Sequence, residues 1–176
     1  MNDRSRAQLQ VIQAVADVLG AAGITAWLFG GWGLDARMGH ITREHGDVEF
    51  WVERIHADRS KAVLISAGAN PLAKQSPTEA CEFTWCGTAF STAYFDRRSD
   101  GAFSQPDGRW SDWLFPANSF ADEAVTLEGC WVLAMSAAGM LAMEQYPQRR
   151  NGGPWRPKDI ADIQTLRALV ACDPRP

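Results

Sequence analysis

The chain has 176 residues, 46% of them hydrophobic and 22% charged, a composition that suits a globular fold of one domain. The formal net charge of −4 argues against a general nucleic-acid-binding protein, because such proteins carry a basic surface. We expect a cytoplasmic protein, since no apolar run is long enough to cross a membrane and the N-terminus does not resemble a signal peptide.

The first half of the chain predicts helices that alternate with strands. Apolar residues at helical spacing predict the first helix, and a short β-type run then leads into a glycine pair. A second β-type run carries two acidic residues. The predicted elements are helix 5–22, strand 24–29, helix 32–38, strand 48–52 and helix 56–67.

The second half predicts a hairpin followed by a loop, a strand and two helices. The β-type runs 80–85 and 88–95 are separated by Cys86 and Gly87, a pair typical of a tight turn. We expect a mobile loop at 97–108, a last strand at 126–133, and helices at 136–146 and 158–171.

This order of elements predicts an α+β fold with a mixed sheet and packed helices. We expect a catalytic core over residues 1–133 and a C-terminal helical extension over residues 134–176 that packs on it.

The residues that best indicate a chemistry lie between positions 30 and 49. Gly30 and Gly31 form a tight turn after an apolar run, and such a turn lets backbone N–H groups approach a phosphate. Asp47 and Glu49 are separated by one residue in a β-type run, so both carboxylates leave the strand on the same face. Paired carboxylates are suitable ligands for Mg²⁺. Together these features predict metal-assisted transfer of a nucleotidyl or phosphoryl group.

The same stretch resembles a known enzyme superfamily. Its pattern is Gly-Gly-Trp, an aspartate, a glycine, Thr-Arg-x-His and then Asp-x-acid, and the clear match covers about residues 24–54. The chain resembles the nucleotidyltransferases of polymerase-β-like fold, and within them the small aminoglycoside 2″-nucleotidyltransferases and lincosamide nucleotidyltransferases. The matching residues are Gly30, Gly31, Trp32, Asp35, Gly39, Thr42, Arg43, His45, Asp47 and Glu49.

The resemblance implies an enzyme that moves AMP from ATP, or NMP from another nucleoside triphosphate, to a hydroxyl of a small cationic antibiotic. Pyrophosphate leaves, two Mg²⁺ ions assist, and the modified drug is inactive, so the bacterium is resistant. The aminoglycoside branch is favoured and the lincosamide branch is the alternative. In either case we expect a monomer or a homodimer.

The resemblance also implies a third carboxylate near the acid pair, which binds metal or takes the proton of the acceptor. Asp96, at the end of the second run of the hairpin, is the favoured residue. Glu82 on the preceding run is the rival, and Asp100 is an alternative in the loop. Glu49 stands where the superfamily more often has aspartate, so the metal spacing or preference is expected to differ.

Two further groups of residues follow from the same resemblance. The nucleotide site is expected to include Gly30, Gly31, Trp32, Arg43 and Lys158. The acceptor site is expected to include Glu82, Tyr94 and Asp100, with Glu79, Trp85 and other tryptophans as further candidates.

The roles of two residues of the motif stay open. Asp35 is expected to cap a helix or to pair with Arg37 or Arg43, and His45 is expected either to brace the loop or to bond a metal ligand.

Two other classes of function stay open. Small nucleotidyltransferases also act on proteins or tRNA as antitoxin-like partners, although no extended basic rim stands out in this sequence. A non-catalytic nucleotide-binding module would retain nucleotide binding without releasing pyrophosphate.

Overall fold

The computed structural model describes residues 1–105, 107, 110–146 and 153–172. The helices are α1 (Asp3–Ala21), α2 (Gly30–Met38), α3 (Ala57–Ser66), α4 (Ala137–Gln145) and α5 (Pro157–Cys172). The strands are β1 (Ala26–Phe29), β2 (Val48–Glu53), β3 (Asn70–Gln75), β4 (Ala80–Trp85), β5 (Thr88–Arg97), β6 (Phe103–Ser104), β7 (Leu114–Phe115), β8 (Ala124–Leu127) and β9 (Cys130–Leu133).

The main sheet is mixed, with the strand order β1-β2-β5-β4-β3. β2 and β5 are parallel, whereas β1–β2, β5–β4 and β4–β3 are antiparallel. The short strands β6 and β7 continue the sheet from the end of β5, and β8 with β9 forms a separate hairpin. The α+β class predicted from the order of elements is confirmed.

Alternation along β2 divides the residues of the sheet between two cores. Val48, Phe50 and Val52 face a core that also contains buried residues of α1 and α3. Trp51, on the opposite face, packs in a second core with aromatic residues and methionines from β5, β6, β7 and α4. Each large apolar side chain buried in this way contributes about 1.5–3 kcal/mol to the free energy of unfolding. The opposite face continues past Trp51 into an open cavity that Asp47 and Glu49 also line.

The first helix forms for local reasons. The side chain of Asn2 accepts a hydrogen bond from the N–H of Ser5 (2.8 Å) and so caps the helix. Leu9, Ile12 and Val15 follow at helical spacing and are buried on the sheet.

Two features differ from the sequence-based prediction. The single strand predicted at 126–133 is wrong, because Glu128 and Gly129 both have positive φ (47° and 86°) and turn the chain between β8 and β9. The strand β3 was not predicted at all. Its residues are mostly exposed, and it forms by pairing at the edge of the sheet with β4.

The loop predicted at 97–108 lies partly outside the described residues, which omit 106, 108 and 109. Its described part contains β6, whose Phe103 is buried. The predicted boundary after residue 133 coincides with the end of β9, and the division into a core and a C-terminal extension stays a prediction. No helix in the described ranges combines the length and the apolar character that a membrane span requires.

Candidate active site

The acid pair lies at the start of β2 beside the glycine turn. Asp47 immediately precedes the strand, and Glu49 is its second residue, paired with Phe29 of β1. The carboxylate of Glu49 lies so close to Gly30 that a Cβ at that glycine would come 2.4 Å from Glu49 Oε2. Gly30 also has a φ of +64°, a backbone conformation that favours glycine. The sequence therefore needs glycine at position 30 for both reasons.

Helix α2 begins directly at the glycine turn. The first N–H groups of a helix have no partner within the helix, and they attract anions. At Gly31 an added Cβ would lie 2.2 Å from His45 Nδ1 and 3.1 Å from an Arg43 nitrogen. Gly31 thus leaves room for two side chains of the following loop.

Asp47 and Glu49 line two neighbouring depressions. One is a cavity of about 700 Å³ over the sheet, and the other is a pocket of about 50 Å³ at the glycine turn. We call them the sheet cavity and the turn pocket. The turn pocket is lined by Gly30, Gly31, Arg43, His45, Gly46, Asp47, Glu49, Glu144, Lys158 and Asp162. The acid pair therefore stands where the two depressions meet.

The turn pocket contains the cations predicted to bind nucleotide. Arg43 forms an ion pair with Asp162 (Nη2 to Oδ2, 2.6 Å). The Lys158 ammonium is about half exposed and lies 3.9 Å from Asp159 Oδ1. Asp159 is held mainly by Arg156, whose guanidinium hydrogen bond lowers the pKa of this carboxyl below its usual value. Arg156 and Asp159 thus form a fixed pair next to Lys158 at the start of α5.

A row of side chains crosses the sheet in the sheet cavity. Glu49 is paired with Ser91 of β5, and Ser91 is paired with Glu82 of β4. The Cα atoms of Glu49 and Glu82 are therefore two strand spacings apart, about 10 Å. The carboxylates that line this cavity are Asp47, Glu49, Glu79 and Glu82, together with one ammonium group, that of Lys74. Two glutamate side chains can converge across this distance on one reacting group.

An aromatic wall faces these acids. Trp51, Trp110 and Trp113 line the sheet cavity together with Met143 of α4. The rings of Trp110 and Trp113 pack against Tyr146, with centroids 5.2 and 5.5 Å away. Such rings offer flat faces to apolar or cationic groups.

The structure does not bring Asp96 to the acid pair. Asp96 shares the β5 face of Thr92 and Tyr94, opposite to Ser91, because alternate residues point to opposite faces. It also lies five residues, about 16 Å, along the strand from Ser91. Its carboxylate accepts a hydrogen bond from Arg54 Nε (2.7 Å). The prediction that Asp96 is the third acid has no support from this geometry. Of the two other carboxylates in the cavity, Glu79 and Glu82, it is Glu82 that is aligned with Glu49 across Ser91.

Two of the predicted acceptor residues also lie elsewhere. Tyr94 is fully buried in the first core, and its hydroxyl is hydrogen bonded to that of Thr92 (2.9 Å). Burial raises the pKa of Tyr94 above its usual value. Asp100 lies in the exposed turn after β5. The N–H of Ala102 and then Arg98 hold its pKa below the usual value. Neither residue lines the sheet cavity, so the structure corrects both predictions.

Trp32 lies under the turn pocket rather than in it. Its ring is 1% exposed and packs against the ring of His45, with centroids 4.8 Å apart. The prediction that Trp32 contacts the nucleotide is therefore corrected to a packing role. Trp85, another acceptor candidate, packs against the first core away from the cavity, whereas Glu79 lines it.

Sequence reasoning missed several lining residues. Ser91 and Lys74 belong to no recognisable motif, and Asp162 is one of the two acidic residues of α5. Lys158 and Asp162 are four residues apart, and this helical spacing was the only sequence signal that linked Asp162 to the site.

The acid pair fits a magnesium ion. Within the described ranges no three His, Cys, Asp or Glu side chains are close enough to hold a metal by themselves. Mg²⁺ commonly binds one or two carboxylates and completes its shell with water and substrate phosphates. Asp47 and Glu49, next to a turn suited to phosphate, match that donor set.

Solved structures share this fold. The lincosamide adenylyltransferase LnuA, in a crystal structure with lincomycin bound, gives a TM-score of 0.70 at 20% identity, over 89% of this chain and 94% of that chain. ANT(2'')-Ia in complex with adenylyl-2''-tobramycin gives a TM-score of 0.73 at 17% identity, over 94% of this chain and 96% of that chain. A putative nucleotidyltransferase from Thermotoga maritima gives a TM-score of 0.51 at 15% identity, over 98% of this chain and 97% of that chain. The chain therefore has the polymerase-β-like nucleotidyltransferase fold that the motif predicted.

A search of curated proteins finds no match. The family model named aminoglycoside-2''-adenylyltransferase matches residues 11–166. That range contains the glycine turn, the acid pair, the hairpin with Glu82 and the part of α5 that lines the turn pocket. The chain belongs to the aminoglycoside-2''-adenylyltransferase family.

Proposed function

We propose that this protein transfers AMP from ATP to a hydroxyl of an aminoglycoside, releases pyrophosphate and thereby confers resistance to the drug. The observation that carries the proposal is the position of Asp47 and Glu49 at the junction of the turn pocket and the sheet cavity. A group held in one depression can meet a group held in the other only next to these carboxylates. Membership of the adenylyltransferase family supports the same reaction.

In this proposal the triphosphate occupies the turn pocket. The N–H groups at the start of α2 and the ammonium of Lys158 bind phosphate oxygens. Asp47 and Glu49 would hold Mg²⁺, which would neutralise negative charge on the phosphates. ATP and Mg²⁺ are available in the cytoplasm, where we expect the protein to act as a monomer or a homodimer.

The acceptor occupies the sheet cavity. Its hydroxyl oxygen forms a bond to the α-phosphorus of ATP, and the bond from that phosphorus to the bridging oxygen of the β-phosphate breaks. Glu82 takes the proton of the hydroxyl as general base. This assignment is supported by the alignment of Glu82 with Glu49 across Ser91, and it replaces Asp96.

The charge of the cavity favours a cationic acceptor. Within the described part of the chain, the carboxylates of Asp47, Glu79 and Glu82 have neither a hydrogen bond nor an ion pair. Lys74 is the single cationic side chain that lines this cavity. The ammonium groups of an aminoglycoside would supply the missing positive charge.

A second acceptor class is favoured by the aromatic wall. Trp110, Trp113 and Met143 suit an acceptor with an apolar part, and lincosamides combine one amine with such a part. LnuA, which resembles this chain in fold, is a lincosamide adenylyltransferase.

Pyrophosphate release from ATP across a panel of aminoglycosides and lincosamides tests the reaction and selects the acceptor. We expect release with one drug class, a drug whose mass increases by one AMP, and loss of both signals when EDTA removes the metal. Release that does not depend on any drug would contradict the proposal. A protein or tRNA acceptor, or a non-catalytic module, would give no release with any drug.

The role of Glu82 is tested by Glu82→Gln, with Glu79→Gln as the matched control in the same cavity. We expect Glu82→Gln to lower kcat by about 10²–10⁴-fold, because general base catalysis contributes this much. Glu79→Gln should mainly raise the KM of the acceptor. An equal effect of the two changes on kcat would refute the general base assignment.

A further inference from the structure

A buried pair of side chains lies beneath the turn pocket. Asp35 of α2 and His45 of the following loop have side chains that are 0% and 3% exposed. His45 Nε2 lies 2.6 Å from Asp35 Oδ2, and the hydroxyl of Thr42 donates to Asp35 Oδ1 (2.5 Å). Asp35 was expected to cap a helix or to pair with Arg37 or Arg43, but its carboxylate is bonded to His45 and Thr42 instead. Arg37 donates to the backbone oxygens of Ala134 and Met135.

This pair determines the hydrogen bonding of the His45 ring. Arg43 Nη1 lies 2.8 Å from His45 Nδ1, and a guanidinium can only donate. Nδ1 must therefore accept, so the ring proton lies on Nε2 and is donated to Asp35. Asp35 thus sets the tautomer that allows His45 to hold Arg43.

Arg43 is almost fully used by protein groups. Besides the bond to His45, its Nη1 donates to the backbone oxygen of Glu44 (3.2 Å). Its Nε and Nη2 donate to the two carboxylate oxygens of Asp162 (3.4 and 2.6 Å). One of the five guanidinium N–H groups remains. Arg43 therefore joins the loop between α2 and β2 to α5, and it has little capacity left to bind a triphosphate by itself.

Asp162 connects this chain of contacts to Lys158. The two residues are four positions apart on α5, so they share one face of the helix, and both line the turn pocket. The ion pair with Arg43 fixes that face against the glycine turn. The ammonium of Lys158 is consequently kept beside the groups that we assign to phosphate binding.

We propose that Asp35 and His45 are positioning residues for the nucleotide: through Arg43 and Asp162 they hold α5, and with it Lys158, against the glycine turn. The inference rests on the proposed function, because it assumes that the turn pocket binds the triphosphate. Arg43 then contributes to nucleotide binding indirectly, and α5 forms one wall of the nucleotide site.

The test compares nucleotide binding with acceptor binding in variants at both ends of the chain of contacts. Asp162→Ala removes the anchor on α5, and Asp35→Asn removes the charge that orients His45. For both we expect the Kd of ATP with Mg²⁺, measured by calorimetry, and the KM of ATP to rise about tenfold, the lower end of what is lost when a metal ligand loses the partner that orients it. The KM of the acceptor should change less than twofold. Asp17→Ala is the matched control, because Asp17 is also a helical aspartate bonded to a single side chain, that of Gln13 on the exposed face of α1.

A double variant separates positioning from a general loss of stability. If Asp162 acts through Lys158, then Asp162→Ala combined with Lys158→Ala should bind ATP no more weakly than Lys158→Ala alone. Fully additive losses, or equal rises in the KM of both substrates, would overturn the inference. His45→Gln keeps one donor and one acceptor, so it should retain more ATP affinity than His45→Ala. If Asp35→Asn does not fold, the largely buried but peripheral Asp162 still provides the test.

The outcomes distinguish the inference from the function on which it rests. A wild-type protein that binds ATP but transfers AMP to no drug contradicts the proposed reaction, and the binding comparison still decides the inference. A wild-type protein that transfers AMP, with Asp162→Ala binding ATP as tightly, contradicts the inference alone. Absence of ATP binding by the wild-type protein overturns both.

Discussion

The turn pocket and the sheet cavity share two carboxylates, but they are built in different ways. Around the turn pocket, side chains are bonded to one another, with His45 bonded to Asp35 and Arg43 to Asp162. In the sheet cavity, the carboxylates of Glu79 and Glu82 have no hydrogen bond or ion pair within the described ranges. One depression is organised before a ligand arrives, whereas the other presents charge that a ligand must neutralise.

The two depressions are expected to recognise their substrates in different ways. A preorganised pocket loses little freedom on binding, so it can be selective for one rigid group such as a triphosphate. An open cavity with acids on one wall and aromatic rings on the other attracts cations of several shapes. We therefore expect strict recognition of the nucleotide and looser recognition of the acceptor.

Activity should fall most when one of the two shared carboxylates is changed. Asp47→Asn removes a metal-binding charge at their junction, and we expect AMP transfer to fall on the order of a thousandfold. Pyrophosphate release measures the loss. Asp58→Asn, an exposed change on α3, is the control. A rate within tenfold of wild type would mean that the junction is not the reaction centre.

An intermediate effect is expected where the turn pocket is most crowded. In Gly31→Ala the new methyl group would lie 2.2 Å from His45 Nδ1, so the loop must shift. We expect a loss of about 1–3 kcal/mol in the free energy of unfolding, measured by denaturant titration, because overpacking costs this much. ATP binding should weaken with it.

The control for this change is another helical glycine, Gly20, whose added Cβ would meet nothing within 4 Å. Gly20→Ala should leave both ATP binding and stability at or above the wild-type level. Similar losses in the two variants would show that crowding at the turn is not what distinguishes the turn pocket.

The smallest effect on activity is expected at Tyr94, a residue of the core rather than of either depression. Tyr94→Phe removes the hydrogen bond with Thr92 and should cost about 1 kcal/mol in the free energy of unfolding. The KM values of ATP and of the acceptor should not change, which steady-state kinetics can measure. A specific rise in the KM of the acceptor would return Tyr94 to the acceptor site.

The sequence was informative where the site is local. The glycine turn, the acid pair and their loop lie within positions 30–49, and alternation along one strand was enough to place both acids on one face. The helices α1, α4 and α5 follow patterns of apolar spacing, caps and breaks that act over a few residues, so their limits were predicted closely.

The sequence was misleading where the outcome depends on strand pairing. Asp96 and Ser91 lie on the same strand, but five positions separate them, so they point to opposite faces. Glu82 reaches the cavity only because the register of β4 sets it beside Ser91, and a shift of one residue would turn it away. The edge strand β3 likewise exists through its pairing with β4 rather than through its own composition.

The fold class, the glycine turn and the pair of carboxylates could be predicted from the sequence, because they depend on backbone conformation and on alternation within short segments. The position of Glu82 rather than Asp96 in the cavity, and the bond of α5 to the turn pocket through Arg43 and Asp162, are seen only in the folded chain. Those arrangements join residues as many as 119 positions apart. Strand register and helix docking are set by packing over the whole core, and no local pattern records them.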